Sequence, residues 1–533
     1  MGVLEWLAVF VPIVTYLLYR WSTATYDYFR EKKIPFVKPY PLFGALWPIF
    51  SGKLHPVDAT ILGYDMFPGR RFSGFFTFRT PSYLIHDPAL AKQVLIKDFD
   101  HFTDHTSTIL PDVDPVLGRN LFFMDGQRWR HGRSGLSPAF TGSKMRNMFV
   151  LLSNYVDGAM KRLAQDAGPR KMELELRDLF QKVGNDIITS ISFGVDVDSI
   201  HNPNNEFYKR GQKVTATGGI QGFKVFLTTV IPGSVFKFFG VKVLPKEAAD
   251  FYVDVISKTV KQREEYKIVR PDFIHLFMQA RKNELKEDKA DEELKDAGYS
   301  TVEEHLQSTT RGNQHTDLDI AAVAVSFFFG GIETTSSVLS FVLYELCLNP
   351  TIQHKLQDEI DLVRDQLEGN PLSYEVLQKM KYMDMVVSET LRRWAPLGIV
   401  SRKCVKPYTF EDHDGTKVTV EKGHIIQIPL QSFHRDPNFF PDPYRFDPER
   451  FSDENKHKIK QDTYIPFGSG PRNCIGSRLA LMQTKCVLFY LFANFSVEFS
   501  EKMDVPIKLN KMALSYTAQN GFWFHFAARG VKT

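Results

Sequence analysis

Between Asp317 and Leu348 the chain runs for 32 residues without a proline and stops at Asn349-Pro350. As one helix this run rises roughly 48 Å, enough to cross a whole domain. Its middle, Ala321 to Phe329, is apolar all round except for Ser326, which predicts a helix buried on every side rather than a surface-amphipathic one. Thr316 with Asp319 resembles a capping box, with Asp a weaker partner than Glu. A fold containing this chain therefore has to be built around one long internal helix. Inside it lies Gly330-Gly331-Ile332-Glu333-Thr334-Thr335. Two interior glycines cost roughly 1 kcal/mol each against alanine, and a buried glutamate adds a desolvation cost. Two readings follow. Small residues let helices pack closely, or the glycines let something flat approach the backbone. In the second reading Glu333 and Thr334 supply protons, and the threonine hydroxyl opens the helical ladder locally.

A second segment is as unusual. Pro466-Phe467-Gly468-Ser469-Gly470-Pro471-Arg472-Asn473-Cys474-Ile475-Gly476-Ser477-Arg478 predicts a tight loop, and helical periodicity resumes at Leu479. Cys474 thus lies where a loop enters a helix, and the unpaired N–H groups there stabilise a thiolate. Only four cysteines occur in 533 residues, which excludes a disulfide scaffold and points to a reducing compartment. A sparse cysteine is either an inert small hydrophobe or the centre of the chemistry. Cys347, Cys404 and Cys486 suit the first reading. A thiolate on haem iron favours O–O cleavage, whereas zinc and covalently attached haem lack their ligands, since no CxxC, HExxH or CxxCH is present.

The net charge, 66 basic against 62 acidic residues or +4, is too near balance for a nucleic-acid partner. Hydrophobic residues at 43% give a globular composition, and 45 phenylalanines favour a large apolar core or pocket. The apolar stretch Gly2 to Tyr19 ends at Arg20, at the short end for a bilayer-crossing helix. Trp6 and Tyr19 sit near its ends, and Arg20, Arg30, Lys32 and Lys33 lie only after it. Residues 1–20 are therefore read as a single N-terminal membrane anchor with the remainder in the cytosol. Residues 21–44, basic and with Pro35, Pro39 and Pro41, read as a stiff extended spacer, and residues 45–533 as the catalytic body. There, Gly74–Phe78 and Ser82–Ile85 predict a hairpin turning at Thr80-Pro81, followed by a helix from about Pro88 to Ile96. Strand signals are otherwise scarce until Val418–Ile428 and the C-terminal end, which makes the fold mainly α with a small β subdomain. The charged stretch Arg281–Asp296, polar on to His315, reads as a solvated loop.

Phe467 to Gly476 matches without a gap the haem signature F-x-x-G-x-R-x-C-x-G of the cytochromes P450, and other hallmarks of that family follow in order. Gly330 to Thr334 resembles the oxygen-activating motif, Glu389-Thr390-Leu391-Arg392 the E-x-x-R pair, and Pro448-Glu449-Arg450-Phe451 the meander motif. Trp129 to Arg133 matches W-x-x-x-R. The similarity runs from about Pro35 to the C-terminus. With Phe102-Thr103-Asp104-His105, the texture looks most like insect microsomal xenobiotic-metabolising members.

The resemblance implies a P450 fold, haem b as cofactor, and Cys474 as the axial ligand to its iron. Phe467 would shield the thiolate, and the N–H groups of Ile475 and Gly476 would temper its charge. Trp129, Arg133, Arg402 and Arg472 match positions that hold the haem propionates; for His105 a plain surface histidine is the competing reading. Glu389, Arg392 and Arg450 would lock the proximal side through a guanidinium fork that lysine cannot copy. Gly330 departs from the pattern, where alanine is more usual, and should widen the space over the iron or loosen the helix. Substrate contacts would come from 112–121, 219–241, Phe329, Ile399 and 516–520, with Phe223 in the phenylalanine-rich part. The implied activity is a monooxygenase of the unspecific type in the endoplasmic reticulum membrane. It would insert one atom of O2 into a lipophilic substrate, xenobiotic or endogenous, with protons relayed through Thr334 and Glu333. Electrons would come from NADPH through a separate NADPH-cytochrome P450 reductase, docking on a basic face that includes Arg130 and Arg478; cytochrome b5 is admitted as a second donor. The rival classes are a reductase-independent haem-thiolate isomerase or dehydratase, and a non-catalytic haem or ligand carrier.

Overall fold

The structure, a computed structural model, describes residues 3–107, 109–215, 224, 227–228, 233–282, 299–301, 316–513 and 515–529. The long apolar run is the axle of the fold. It is α-helical over Asp317–Phe327, passes through a π-helical turn at Phe328–Ile332, and is α-helical again over Glu333–Leu348. Its start is a reciprocal capping box: Thr316 N–H donates to Asp319 Oδ2 at 2.9 Å and Asp319 N–H to Thr316 Oγ1 at 3.2 Å. Helices Leu176–Phe193, Lys246–Tyr266, Lys381–Arg393 and Ser477–Asn494 pack along its length. Ala321, Val325, Phe328, Phe341, Val342 and Leu343 are buried in the large core so formed. The helix is long and apolar enough to cross a membrane, but half of its apolar window is already covered by protein, so its hydrophobicity serves the core.

Among the described residues there are three small sheets. Strands β1 (Phe72–Thr77), β2 (Thr80–Ile85), β4 (Val400–Lys403) and β7 (Ile425–Ile428) form one sheet in the order β1-β2-β7-β4. β3 (Met172–Glu175), β8 (Phe495–Phe499) and β9 (Trp523–Ala528) form a second in the order β3-β9-β8. β5 (Tyr408–Glu411) pairs with β6 (Lys417–Val420). The hairpin turns at Phe78-Arg79, one step before the expected Thr80-Pro81, with Thr77 opposite Thr80 and Phe78 at φ 55°. Pro81 is tolerated inside β2 because pairing with β7 begins only at Ser82, so no ladder asks for the missing donor. The segment read as a strand near Val418–Ile428 is two strands in two sheets, broken at Gly423, whose φ of 95° only glycine adopts cheaply.

The first helix, Val3–Thr23, contains Pro12 and leaves Trp6, Phe10, Tyr16 and Leu17 exposed. Its end meets the body, where the Arg79 guanidinium lies 4.2 Å over the Trp21 ring. The proline-rich stretch after it is not a free spacer. Phe29 and Ile34 are buried in a second core under the first sheet, and Val37 N–H donates to Gly74 O at 2.9 Å. The apolar residues interleaved with the prolines bind this stretch to β1. Of the charged 281–315 stretch most lies outside the described residues; Arg281 itself pairs with Asp317 and Glu264, each at 2.8 Å.

Candidate functional site

The loop before the Ser477–Asn494 helix is closed by hydrogen bonds from Cys474 N–H to Phe467 O and from Asn473 N–H to Gly470 O, both 2.9 Å. Gly470 has φ 74° and sits so close to the chain that a Cβ there would lie 1.9 Å from Leu95 O. No other residue fits. Cys474, Ile475 and the N-cap Gly476 then lead into an 18-residue helix. Cys474 is the exposed one of the four cysteines, and none forms a disulfide. Burial pushes the thiols of Cys347 and Cys404 up to about 12 and about 11, and that of Cys486 well up. Those three are held protonated and inert.

A cationic group gathers beside this loop. Arg133, on the Gly126–Leu136 helix, donates to Asn473 O at 2.9 Å and to Asn473 Oδ1 at 2.6 Å. Arg472 donates to Thr103 O at 2.6 Å and Met124 O at 2.8 Å, and stacks 4.3 Å over the Trp129 ring. Arg402, at 1% exposure, donates from Nη1 to Ser401 O at 3.0 Å, while among the described residues neither its Nε nor Arg472 Nη1 finds a partner. Asp104, 3.9 Å from Arg472, is the one carboxylate paired with these two arginines among the described residues. Burial pushes Arg402 down to about 10; burial and then the neighbouring Arg402 push Arg472 down to about 9. Half-buried His105 accompanies them, Nδ1 3.0 Å from Phe122 O, its pKa held well below the usual histidine value by burial and both arginines. It is not a plain surface histidine.

The two glycines of the central helix divide the two readings between them. A Cβ on Gly331 would lie 3.2 Å from Ile188 Cδ1, so that glycine lets the Leu176–Phe193 helix pack. Gly330 is exposed, and a Cβ there would meet no protein atom within 4 Å. Thr334 Oγ1 donates to Gly330 O at 2.6 Å, a side-chain bond at the C-terminal edge of the π-helical turn. Glu333 points to another face: it is buried, ion-paired with Arg177, and accepts from Gln181 Nε2 at 2.8 Å.

Glu389, Arg392 and Arg450 also come together. Arg392 donates to His434 O at 2.7 Å and Pro443 O at 2.8 Å besides gripping Glu389, which also accepts from Asp447 N–H at 2.9 Å. Arg450 Nε lies 3.6 Å from Glu389, and its Nη2 donates to Asp442 O at 2.8 Å. Of the expected substrate contacts, Phe329 packs on Phe123 with centroids 5.9 Å apart, and Ile399 is half-buried before β4. Tyr516 is enclosed, its hydroxyl 2.7 Å from Asp58 Oδ1. Phe223 and about half of 219–241 lie outside the described residues. Arg130 is ion-paired with Asp100. Asn473, Arg177, Gln181 and His434 gave no signal in sequence, because their partners stand 31 to 340 positions away or are reached through backbone atoms.

These residues suit a haem. A buried guanidinium without a carboxylate is costly, and two of them side by side require an anion such as the haem carboxylates. The exposed cysteine at a helix start supplies the soft ligand, and bare backbone at Gly330 admits a flat group.

The cytochrome P450 family model matches residues 69–524. The chain is 38% identical to cytochrome P450 9e2 of Blattella germanica, over 98% of this chain and 97% of that one. It is equally identical to a probable cytochrome P450 9f2 of Drosophila melanogaster, over 98% and 99%, and 34% identical to cytochrome P450 6k1 of Blattella germanica, over 93% and 92%. Full-length likeness of this kind leaves one conclusion: the chain belongs to the cytochrome P450 family and is a monooxygenase whose haem takes a cysteine thiolate ligand.

Proposed function

We propose that this chain is the oxygenase component of a membrane-bound two-protein system that hydroxylates or epoxidises lipophilic molecules. The observation that carries the reading is the exposed Cys474 at its helix start, two residues after buried Arg472, whose Nη1 finds no hydrogen-bond partner among the described residues. Cys474 Sγ would bind the haem iron, with Phe467, Ile475 and Gly476 of the same loop beside it. Arg402, Arg472, Arg133, Trp129 and His105 would hold the propionates. Bound there, haem supplies the iron at which dioxygen is reduced, and the thiolate's electron donation favours O–O cleavage.

Thr334 Oγ1 is the proton carrier on the open face. Its hydrogen bond to Gly330 O holds the hydroxyl at the open face, where it would hand a proton to dioxygen under reduction. Glu333, the adjacent carboxylate, would take up a proton from solvent on the side where Arg177 is 31% exposed and, on leaving that ion pair, pass it to Thr334. Glu389, Arg392 and Arg450 hold the proximal segments in register for Cys474. The Val3–Thr23 helix, with its exposed apolar side chains, anchors the chain in the endoplasmic reticulum membrane, and lipophilic substrates reach the site from the bilayer. Electrons originate in NADPH and arrive through a separate reductase, consistent with the lack of a G-x-G-x-x-G fingerprint in a strand–helix setting. Xenobiotics are the favoured substrate class, on the likeness to insect relatives.

The test is reconstitution with NADPH-cytochrome P450 reductase in vesicles and a panel of lipophilic substrates, following NADPH loss and oxygenated product. Turnover that needs both NADPH and reductase supports the proposal. Conversion without either would make the protein an isomerase or dehydratase, and ligand binding without any turnover would make it a carrier.

A further inference from the structure

Within the connection from the Phe273–Arg281 helix to the central helix, Tyr299 and Ser300 are docked on the body of the protein, and Ser300 is buried at 3% exposure. Its hydroxyl accounts for the burial. Ser300 Oγ lies 2.8 Å from Ser388 Oγ and 2.7 Å from Tyr464 Oη, while Tyr464 Oη donates to Ser388 O at 2.9 Å. Each hydroxyl carries one proton. That of Tyr464 is committed to the Ser388 carbonyl, so Ser300 donates to Tyr464 and accepts from Ser388. Three buried hydroxyls are thus satisfied together, with Ser300 as the shared middle. Tyr299 closes the niche. Its ring packs on Phe451 and Tyr464, with centroids 5.1 and 5.5 Å away, and its N–H donates to Asp384 Oδ2 at 2.9 Å. The other oxygen of Asp384 is 2.7 Å from Nζ of fully buried Lys485, on the helix that follows Cys474.

Every wall of this niche adjoins the cysteine side of the site. Ser388 precedes Glu389, Phe451 follows Arg450, and Tyr464 opens the segment that runs into the cysteine loop. From Tyr464 the path is short. Ile465 N–H donates to His434 Nε2 at 3.0 Å, Ile465 O accepts from Gly468 N–H at 2.9 Å, and Phe467 O accepts from Cys474 N–H at 2.9 Å.

We infer that Tyr299 and Ser300 are positioning residues for the thiolate: seated in this niche, they hold Tyr464 and with it the start of the cysteine loop, so that Cys474 stays on the iron. The inference rests on the haem-thiolate reading above. Neither residue is part of the cysteine loop or of the propionate group; both act through Tyr464. Without the Ser300 hydroxyl, Ser388 loses its acceptor and Tyr464 its donor, a penalty that falls at the entrance to the loop.

The test uses the full-length, haem-bound, dithionite-reduced protein under carbon monoxide, in urea below its unfolding midpoint. Decay of the red-shifted Soret band reports loss of the thiolate, and tryptophan fluorescence reports unfolding. Ser300→Ala, Tyr299→Ala and Tyr464→Phe should each lose the band roughly fivefold faster while fluorescence is still native. Tyr299→Phe, which keeps the ring, should behave as the unaltered protein. Ser199→Ala is the control for a buried serine lost elsewhere, since Ser199 bonds Asp186 and Asn185. Ser300→Ala combined with Tyr464→Phe should be no faster than the faster single variant, because both remove one bond. Band decay in Ser300→Ala and Tyr464→Phe no faster than in Ser199→Ala would overturn the inference, and so would additive acceleration in the double variant. Absence of the red-shifted band from the unaltered protein would instead remove the haem-thiolate reading itself, an outcome separable from either.

Discussion

Arg392 grips Glu389 through two parallel hydrogen bonds, Nε to Oε2 at 2.7 Å and Nη2 to Oε1 at 2.8 Å, with both side chains fully buried. Three residues apart on one helix turn, the pair is local in sequence, but its remaining bonds reach His434, Pro443 and Asp447 in the segments that lead to the cysteine loop. Glu389→Ala leaves a buried guanidinium facing backbone carbonyls alone, at a cost of roughly 3–5 kcal/mol. The expected outcome is protein without haem, measured as the ratio of Soret to protein absorbance. Arg392→Lys should fail nearly as badly, since one ammonium cannot satisfy the carboxylate and two carbonyls in a plane. Normal haem content in either variant would refute this role.

Arg402 makes a prediction of opposite sign for the empty and the loaded protein. It is a buried cation with a single hydrogen bond to its neighbour's carbonyl. Arg402→Met keeps the volume and removes an uncompensated charge, so the apoprotein should be unchanged or more stable, by ~1–4 kcal/mol. Haem should then dissociate at least tenfold faster, because a carboxylate loses its counter-ion. Apoprotein melting and haem transfer to apomyoglobin read the two effects separately.

Buried histidines lower stability towards acid pH, His86 and His434 among them. Burial pushes His86 down to about 4, and burial followed by the Arg392 charge pushes His434 down to about 3. His434 Nε2 accepts from Ile465 N–H at 3.0 Å, so it is held neutral. For both, the unfolded chain, at about 6.5, takes up its proton first as pH falls. Stability from these groups is therefore intact above about pH 6.5. Each then subtracts up to ~1.4 kcal/mol per pH unit, down to about 4 for His86 and about 3 for His434. His434→Gln, which still offers an oxygen to Ile465, should move the acid-unfolding midpoint to lower pH. A midpoint that stays or rises contradicts the assignment.

On the proposed docking face, Arg130 is already engaged by Asp100, which makes half-buried Arg478, one turn beyond the cysteine, the better candidate contact for the reductase. Arg478→Glu should slow reduction by the reductase several-fold at low salt, with the difference shrinking as ionic strength rises. Peroxide-supported turnover should persist. Stopped-flow reduction under carbon monoxide checks the first effect, and equal loss of both activities would count against a docking role.

The axle of the fold was legible because its signal is local: an unbroken apolar run, its capping box and its stop at Pro350 all lie within one segment. The cysteine loop was legible for the same reason, with Gly470 fixed by the carbonyl of Leu95. What the sequence misplaced depended on partners far along the chain. Pro81 looked like a turn until β7 arrived beside Ser82. Val418–Ile428 looked like one strand until its halves joined different sheets. The proline-rich stretch looked like a spacer, although Phe29 and Ile34 are core residues. Glu333 was placed in the right helix, but Arg177 and Gln181, 156 and 152 positions away, determine which way it faces.

The central claim is that Cys474 is a thiolate ligand to haem iron. The most direct measurement is the absorption spectrum of the dithionite-reduced, carbon monoxide-bound protein beside Cys474→Ala. The account predicts a strongly red-shifted Soret band in the unaltered protein and its loss in the variant. Persistence of that band in Cys474→Ala, or its absence from folded, haem-replete protein, would contradict it.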